Sequence, residues 1–156
     1  MHPKLHPALR QLDRFIGRWD LAMTFAGQTV SGGVVSTFEW LEHGTLLVER
    51  TVAEATEDMP AELLSSSPLP TTRVMGYDDS AETYGLLYVD HRAVARVYQM
   101  RLAGDRWEIW RDAPGFDQRY IGEFSADGRT IEGAWEKRFD GKTWEHDFYR
   151  RYTRVE

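Results

Sequence analysis

The chain contains no cysteine, which excludes disulfide staples, thiolate nucleophiles, Cys-ligated zinc and iron–sulfur clusters together. Basic residues are in deficit: 19 Lys and Arg face 25 Asp and Glu over 156 residues, a formal net charge of −6. Without a basic excess there is little to displace counterions from phosphates, so neither a generic nucleic-acid binder nor an acidic-membrane binder fits. No apolar run approaches the roughly 18 residues of a membrane helix, and the opening MHPKLHPALRQ lacks the apolar stretch of a signal peptide. The expected compartment is the cytoplasm. Proline is scarce, with six in all, and three of them fall in residues 55–71 beside Ser65-Ser66-Ser67. That segment cannot extend a ladder. It reads as a long loop, either a surface excursion or a lid over a binding cavity. Gly-x-Ser-x-Gly, P-loop, dinucleotide and His-Glu-x-x-His motifs are all missing, so no nucleophile elbow, phosphate cradle or zinc site is expected.

Aromatic residues are abundant: six Trp, seven Tyr and seven Phe make up 13% of the chain. That exceeds what a small core demands and fits a chain lining a cavity. The length suits one domain spanning 1–156.

Leu5, Leu9, Leu12 and Ile16 recur at helical spacing, and Pro7 suits a first turn, so the pattern predicts a short amphipathic helix over 7–16 that Gly17 ends. From Trp19 onward the period falls to two. Turn signals such as Ala26-Gly27, His43-Gly44, Asp90-His91, Gly104-Asp105, Pro114-Gly115, Asp127-Gly128 and Asp140-Gly141 recur about every ten residues. Ten strands fit between them, over 17–26, 30–41, 45–54, 72–78, 82–90, 93–102, 106–112, 116–125, 129–139 and 142–153. A meander of this length leaves exposed edges unless it closes, which predicts an all-β, up-and-down antiparallel barrel over 17–153 with the helix closing one end. A two-sheet sandwich is the alternative.

Alternation assigns inward faces. The late strands offer Trp144, His146, Phe148, Arg150 and Tyr152; then Ile131, Gly133, Trp135, Lys137 and Phe139; then Phe116, Gln118, Tyr120, Gly122 and Phe124. Earlier strands offer Val34, Ser36, Phe38 and Trp40; Leu46, Val48, Arg50 and Val52; Tyr84, Leu86, Tyr88 and Asp90; Arg96, Tyr98, Met100 and Leu102. In 106–112, Trp107, Ile109 and Arg111 compete with Trp110, and the first set is preferred. Polar groups inside a barrel need partners, water or a ligand.

Gly17-Arg18-Trp19, after a helix and opening the first strand, resembles the calycin superfamily of lipocalins and fatty-acid-binding proteins. The resemblance implies a late-strand arginine over the Trp ring, Arg150 or Arg151, of which Arg150 has the inward parity. His6-Pro7 to Trp19, Glu39-Trp40-Leu41 with Gly44, Gly76-Tyr77-Asp78, Trp144-Glu145-His146-Asp147 and Tyr152-Thr153-Arg154 look like the small bacterial lipocalin-like proteins of unknown function. A looser similarity is to nitrobindin, a haem barrel with its proximal histidine on the last strand, where His146 stands in a comparable place. Nitrobindins follow Gly-x-Trp with further glycines, whereas Asp20-Leu21-Ala22 follows here.

The leading expectation is a binding module without a cofactor. Its cavity would be lined by Trp40, Tyr88, Tyr98, Met100, Gln118, Trp135, Trp144 and His146, and would hold a small hydrophobic molecule whose acidic end faces Arg50 or Arg111. Two alternatives stand beside it. One is a cofactor-independent isomerase or cyclase using His146 or a tyrosine for one proton; the other is haem binding through His146. Nucleic acid and membrane are not expected partners, and the chain would be a monomer or homodimer.

Overall fold

The computed structural model describes residues 6–54 and 67–155, without the side chain of Glu42. Pro7–Arg10 (α1) is one α-helical turn whose start is capped by His6 Nδ1, which accepts from the Ala8 N–H at 3.1 Å. It tightens at once into a 3₁₀ segment, Gln11–Phe15. The expected single helix over 7–16 is therefore two short pieces, and the side chains explain why: Leu9, Leu12 and Phe15 are the buried ones, and their spacing of three is the 3₁₀ period.

Eleven antiparallel strands follow: β1 Gly17–Phe25, β2 Gln28–Val30, β3 Val34–Leu41, β4 Leu46–Ala53, β5 Thr71–Asp78, β6 Thr83–Asp90, β7 Ala95–Ala103, β8 Arg106–Arg111, β9 Asp117–Phe124, β10 Thr130–Arg138 and β11 Glu145–Val155. Ten of them close into a barrel, because β1 pairs with β3 on one side and with β11 on the other, from Arg18↔Val155 to Thr24↔Tyr149. The eleventh, β2, arises because the run read as 30–41 is interrupted: Gly32 and Gly33 take φ of 81° and 84°, a region glycine enters freely. The chain keeps its direction across these glycines but the ladder is broken there, so β2 pairs with the tail of β1 and β3 with its start. No helix among the described residues is long and apolar enough to cross a membrane.

The helical segment plugs one end of the barrel. Phe15 meets the rings of Phe38, Trp107 and Phe124 at 4.7–5.2 Å, and the Tyr84 hydroxyl donates to Ala8 O. Trp19 is fully buried, and its Nε1 donates to Phe15 O at 2.8 Å. The arginine over the Trp19 ring is Arg154, 4.1 Å from the centroid, and not Arg150 or Arg151. Strand β11 runs on to Val155, so its end and not its middle lies opposite Trp19. Arg154 also donates to the Ile16 and Arg14 carbonyls, and Gly17, at φ 127°, leaves it room.

Most expected faces hold. Trp19, Leu21, Phe38, Tyr84, Leu86, Tyr98, Met100, Trp107, Ile109, Tyr120, Ile131, Trp135 and Tyr152 are all buried and share one core. Two faces differ. In β4 the inward residues are Leu47, Glu49 and Thr51, so Arg50 points outward and pairs with Glu39. In β11 a bulge intervenes: Trp135 pairs with Phe148 but Glu136 pairs with His146, leaving Asp147 as the extra residue. Alternation is inverted beyond it.

Candidate functional site

The plugged half of the barrel is filled by side chains, whereas the opposite half encloses a cavity of about 480 Å³. Its apolar wall comes from β1 (Leu21, Met23, Phe25), β6 (Leu86), β10 (Trp135) and β11 (Phe148). Phe25 and Phe148 stack at 4.8 Å, and Phe148 stacks on Trp135 at 6.4 Å. Ser67, Pro68 and Leu69 close part of the mouth, held by the His91 N–H donating to Pro68 O at 3.2 Å. The expected lid over 55–71 falls largely on residues 55–66, which lie outside the described residues.

Where the cavity meets the filled half, the floor is polar. Glu49 and Arg73 form a salt bridge, Arg73 Nη2 donates to the Tyr152 hydroxyl at 2.9 Å, and that hydroxyl donates to Glu49 Oε2 at 2.8 Å. All three side chains are buried. Burial opposes the charge on Arg73, but the attraction of Glu49 and its hydrogen bond outweigh that and hold the guanidinium pKa above its usual value. Burial pushes the phenols of Tyr98, Tyr120 and Tyr152 upward despite neighbouring arginines. At neutral pH they are therefore hydrogen-bond donors and not bases.

Beside this closed triad stands an open one. The guanidinium of Arg150 lies 4.9 Å from the Tyr152 ring centroid, 5.1 Å from that of Tyr120 and 6.0 Å from that of Trp135. Among the described residues its Nε and Nη2 are buried without a partner, as are Tyr120 Oη and the indole Nε1 of Trp135 and of Trp107. All of these atoms carry hydrogens to donate, so the floor is short of acceptors. Glycines make the arrangement possible, since a Cβ on Gly133 would fall 2.7 Å from Tyr120 Cζ. Among the described residues the lining holds four arginines (Arg73, Arg92, Arg96, Arg150) against two carboxylates (Glu49, Asp147). Arg92 is neutralised by Asp90, whose carboxyl is held down at about 2 because hydrogen bonds from Arg92 and Tyr88 overcome its burial.

The residues singled out from the sequence divide into four groups. Tyr88, Tyr98, Gln118 and Trp135 line the cavity, and the Tyr98 hydroxyl donates to Gln118 Oε1 at 2.7 Å. Trp40 and Met100 lie in the plugged half: Trp40 donates to Asp13 at 2.9 Å, and Met100 is fully buried in the core. Arg50, Trp144 and His146 are on the outside. Trp144 lies under Arg119 and Arg138, 4.0 and 4.5 Å from their guanidinium carbons. His146 is exposed, put there by the bulge at Asp147. The described residues lining the cavity include no histidine, so they do not fit the nitrobindin arrangement, and no haem chemistry is derived for them. Arg111 sits at the side of the barrel, 5.9 Å from the Tyr98 ring.

Sequence reasoning missed Glu49 and Arg73, because a charged residue within a strand reads as solvent-facing by default. It gave Arg150 the correct face and the wrong neighbour. The signal for Arg150 was its place between Phe148 and Tyr152 in an inward row.

No protein-family model matches the chain, and no curated protein matches it. Among solved structures, the crystal structure of Rv2717c from M. tuberculosis is similar in fold, with a TM-score of 0.59 over 98% of this chain and 100% of that chain. The two sequences are 12% identical, so the likeness is one of fold. The chain is an all-β protein with a closed ten-stranded antiparallel barrel, one further short strand and an N-terminal helical segment.

Proposed function

We propose that this protein binds a small amphipathic molecule inside its barrel, with the acidic end of that molecule against Arg150. The observation that carries the reading is half-buried Arg150, whose Nε and Nη2 are themselves buried and have no hydrogen-bond partner among the described residues. A buried donor left without a partner costs about 1–3 kcal/mol, and an acceptor-rich group such as a carboxylate would supply the partner for Arg150, and for Tyr120 and Trp135 beside it. The aliphatic and aromatic wall suits the apolar body of such a molecule, and the volume lies within the usual range for small-molecule cavities. Phenols held protonated favour binding over proton transfer.

Intrinsic tryptophan fluorescence reports occupancy directly, since Trp135 is part of the wall. Titration with saturated and aromatic carboxylic acids is expected to change the emission, and the matching alcohols are expected to bind more weakly. A charge-assisted hydrogen bond contributes about 1.5–3 kcal/mol, so Arg150→Met should lower affinity for the acids by roughly tenfold to a hundredfold and erase their advantage over the alcohols. No response to the acids, or equal affinity for acids and alcohols in the unmodified protein, overturns the reading.

A further inference from the structure

Strand β8 ends at Arg111, but its neighbour β7 runs four residues past their last pair, Gln99↔Trp110, to Ala95. On that side residues 95–98 have no ladder partner, because the chain beyond Arg111 turns away into β9, where Arg111 pairs with Gln118. The barrel wall therefore has a window. A slot of about 400 Å³ occupies it, with Trp110 and Arg111 on one side and Arg96 and Tyr98 on the other. Arg96 and Tyr98 also line the main cavity, so window and cavity meet across these two side chains.

Most of the described arginines are compensated by a carboxylate, and those at this window are not. Ten arginines among the described residues are ion-paired, as a chain with net charge −6 readily allows. Arg96, Arg111 and Arg150 have no ion pair among the described residues, although carboxylates outnumber cations overall. Arg96 instead lies 5.1 Å from the Phe116 ring and Arg111 5.9 Å from the Tyr98 ring. All three lie along one path, with Arg150 at the floor, Arg96 where cavity and slot meet, and Arg111 at the outer edge. Apolar and aromatic side chains fill the interval, among them Phe116, Trp135 and Phe148.

Resting on the reading of the cavity as a site for an acidic amphipath, we infer that the ligand carries two acidic groups joined by an apolar body, one held at Arg150 and the other at the window by Arg96 and Arg111. A molecule with a single acid would leave the window pair without a counter-charge. A diacid satisfies both ends, and its body spans the apolar stretch between them. Arg96 and Arg111 are partly exposed, so water and salt screen the second contact and make it weaker than the first.

The test uses the full chain and two matched series of probes, the saturated monocarboxylates from octanoate to tetradecanoate and the dicarboxylates of the same lengths, followed by tryptophan fluorescence and calorimetry. At one or more lengths the diacid is expected to bind about tenfold tighter than the monoacid, with the advantage shrinking as salt is raised. In Arg96→Gln/Arg111→Gln the ratio of the two affinities should fall to about one, and Arg111→Lys should recover part of it because it keeps the charge. Equal binding of monoacid and diacid across the series overturns this inference and leaves the cavity reading standing. A diacid advantage that survives the double substitution also overturns it, since the second acid would then sit elsewhere. Failure of both series to bind removes the inference together with the reading beneath it.

Discussion

The side chains of Glu49, Arg73 and Arg150 show how differently three charges can be accommodated within one barrel. Glu49 and Arg73 satisfy each other and share Tyr152, so every strong group in that trio has a partner. Taking one member away strands the other in a medium that solvates it poorly. Glu49→Ala is expected to destabilise the fold by about 3–5 kcal/mol, read as a lower midpoint in urea denaturation with an unchanged slope. The double change Glu49→Leu/Arg73→Met removes both charges and keeps the volume, and should recover most of that loss. If the double variant is as unstable as the single one, the ion pair is not what holds this part of the barrel. Arg150 differs because its Nε and Nη2 have no partner among the described residues, and that difference is the ground for the binding role proposed for it.

At the scale of the strand, one extra residue decides which histidine chemistry is available. Asp147 is inserted opposite the step from Trp135 to Glu136 and turns His146 out of the barrel. His146→Ala is therefore expected to leave thermal stability and acid binding essentially unchanged, since exposed substitutions away from special features usually cost no more than about 0.5 kcal/mol. Loss of acid binding in that variant would mean that the last strand is registered without the bulge. The same strand shows what the sequence does and does not disclose. Strands β1, β6, β7 and β9 were legible because large apolar residues alternate cleanly with polar ones, as in Trp19, Leu21 and Met23 or Tyr98, Met100 and Leu102. Strand β4 was not, because Leu46, Leu47 and Val48 are apolar in succession and the inward residue that follows is Glu49. Alternation alone cannot place a charge whose partner, Arg73, lies on the neighbouring strand. Within the candidate site, the aromatic members Tyr88, Tyr98 and Trp135 were legible, as was Gln118. Of the cations named from the sequence, Arg50 lies outside and Arg111 lies at the window.

For the molecule as a whole, the contrast between a filled end and a hollow end sets where the barrel should open first. In the filled half, Trp107, Ile109, Tyr120, Phe124 and Ile131 pack against Phe15 and one another with almost no exposure, so their strands can open only by giving up that contact. In the hollow half, the same sheet has one face against a cavity, and residues 95–98 lack ladder partners on the β8 side, with Val97 72% exposed. Amide protection follows local packing and hydrogen bonding. Hydrogen exchange of the free protein is therefore expected to be slowest over 107–109 and 120–124 and fastest among the strand residues over 95–98. A ligand in the cavity contributes packing where the free protein has least, and at a hundred times its Kd it stabilises the folded state by about 2.7 kcal/mol. Saturating acid should then slow exchange most strongly over 21–25, 71–73, 86–90 and 96–98, narrowing the gap between the two halves. Exchange as fast over 107–109 as over 95–98 in the free protein would show that the division into a filled and a hollow half does not govern its dynamics. Slowing confined to residues away from the cavity would show that the acid binds elsewhere on the barrel.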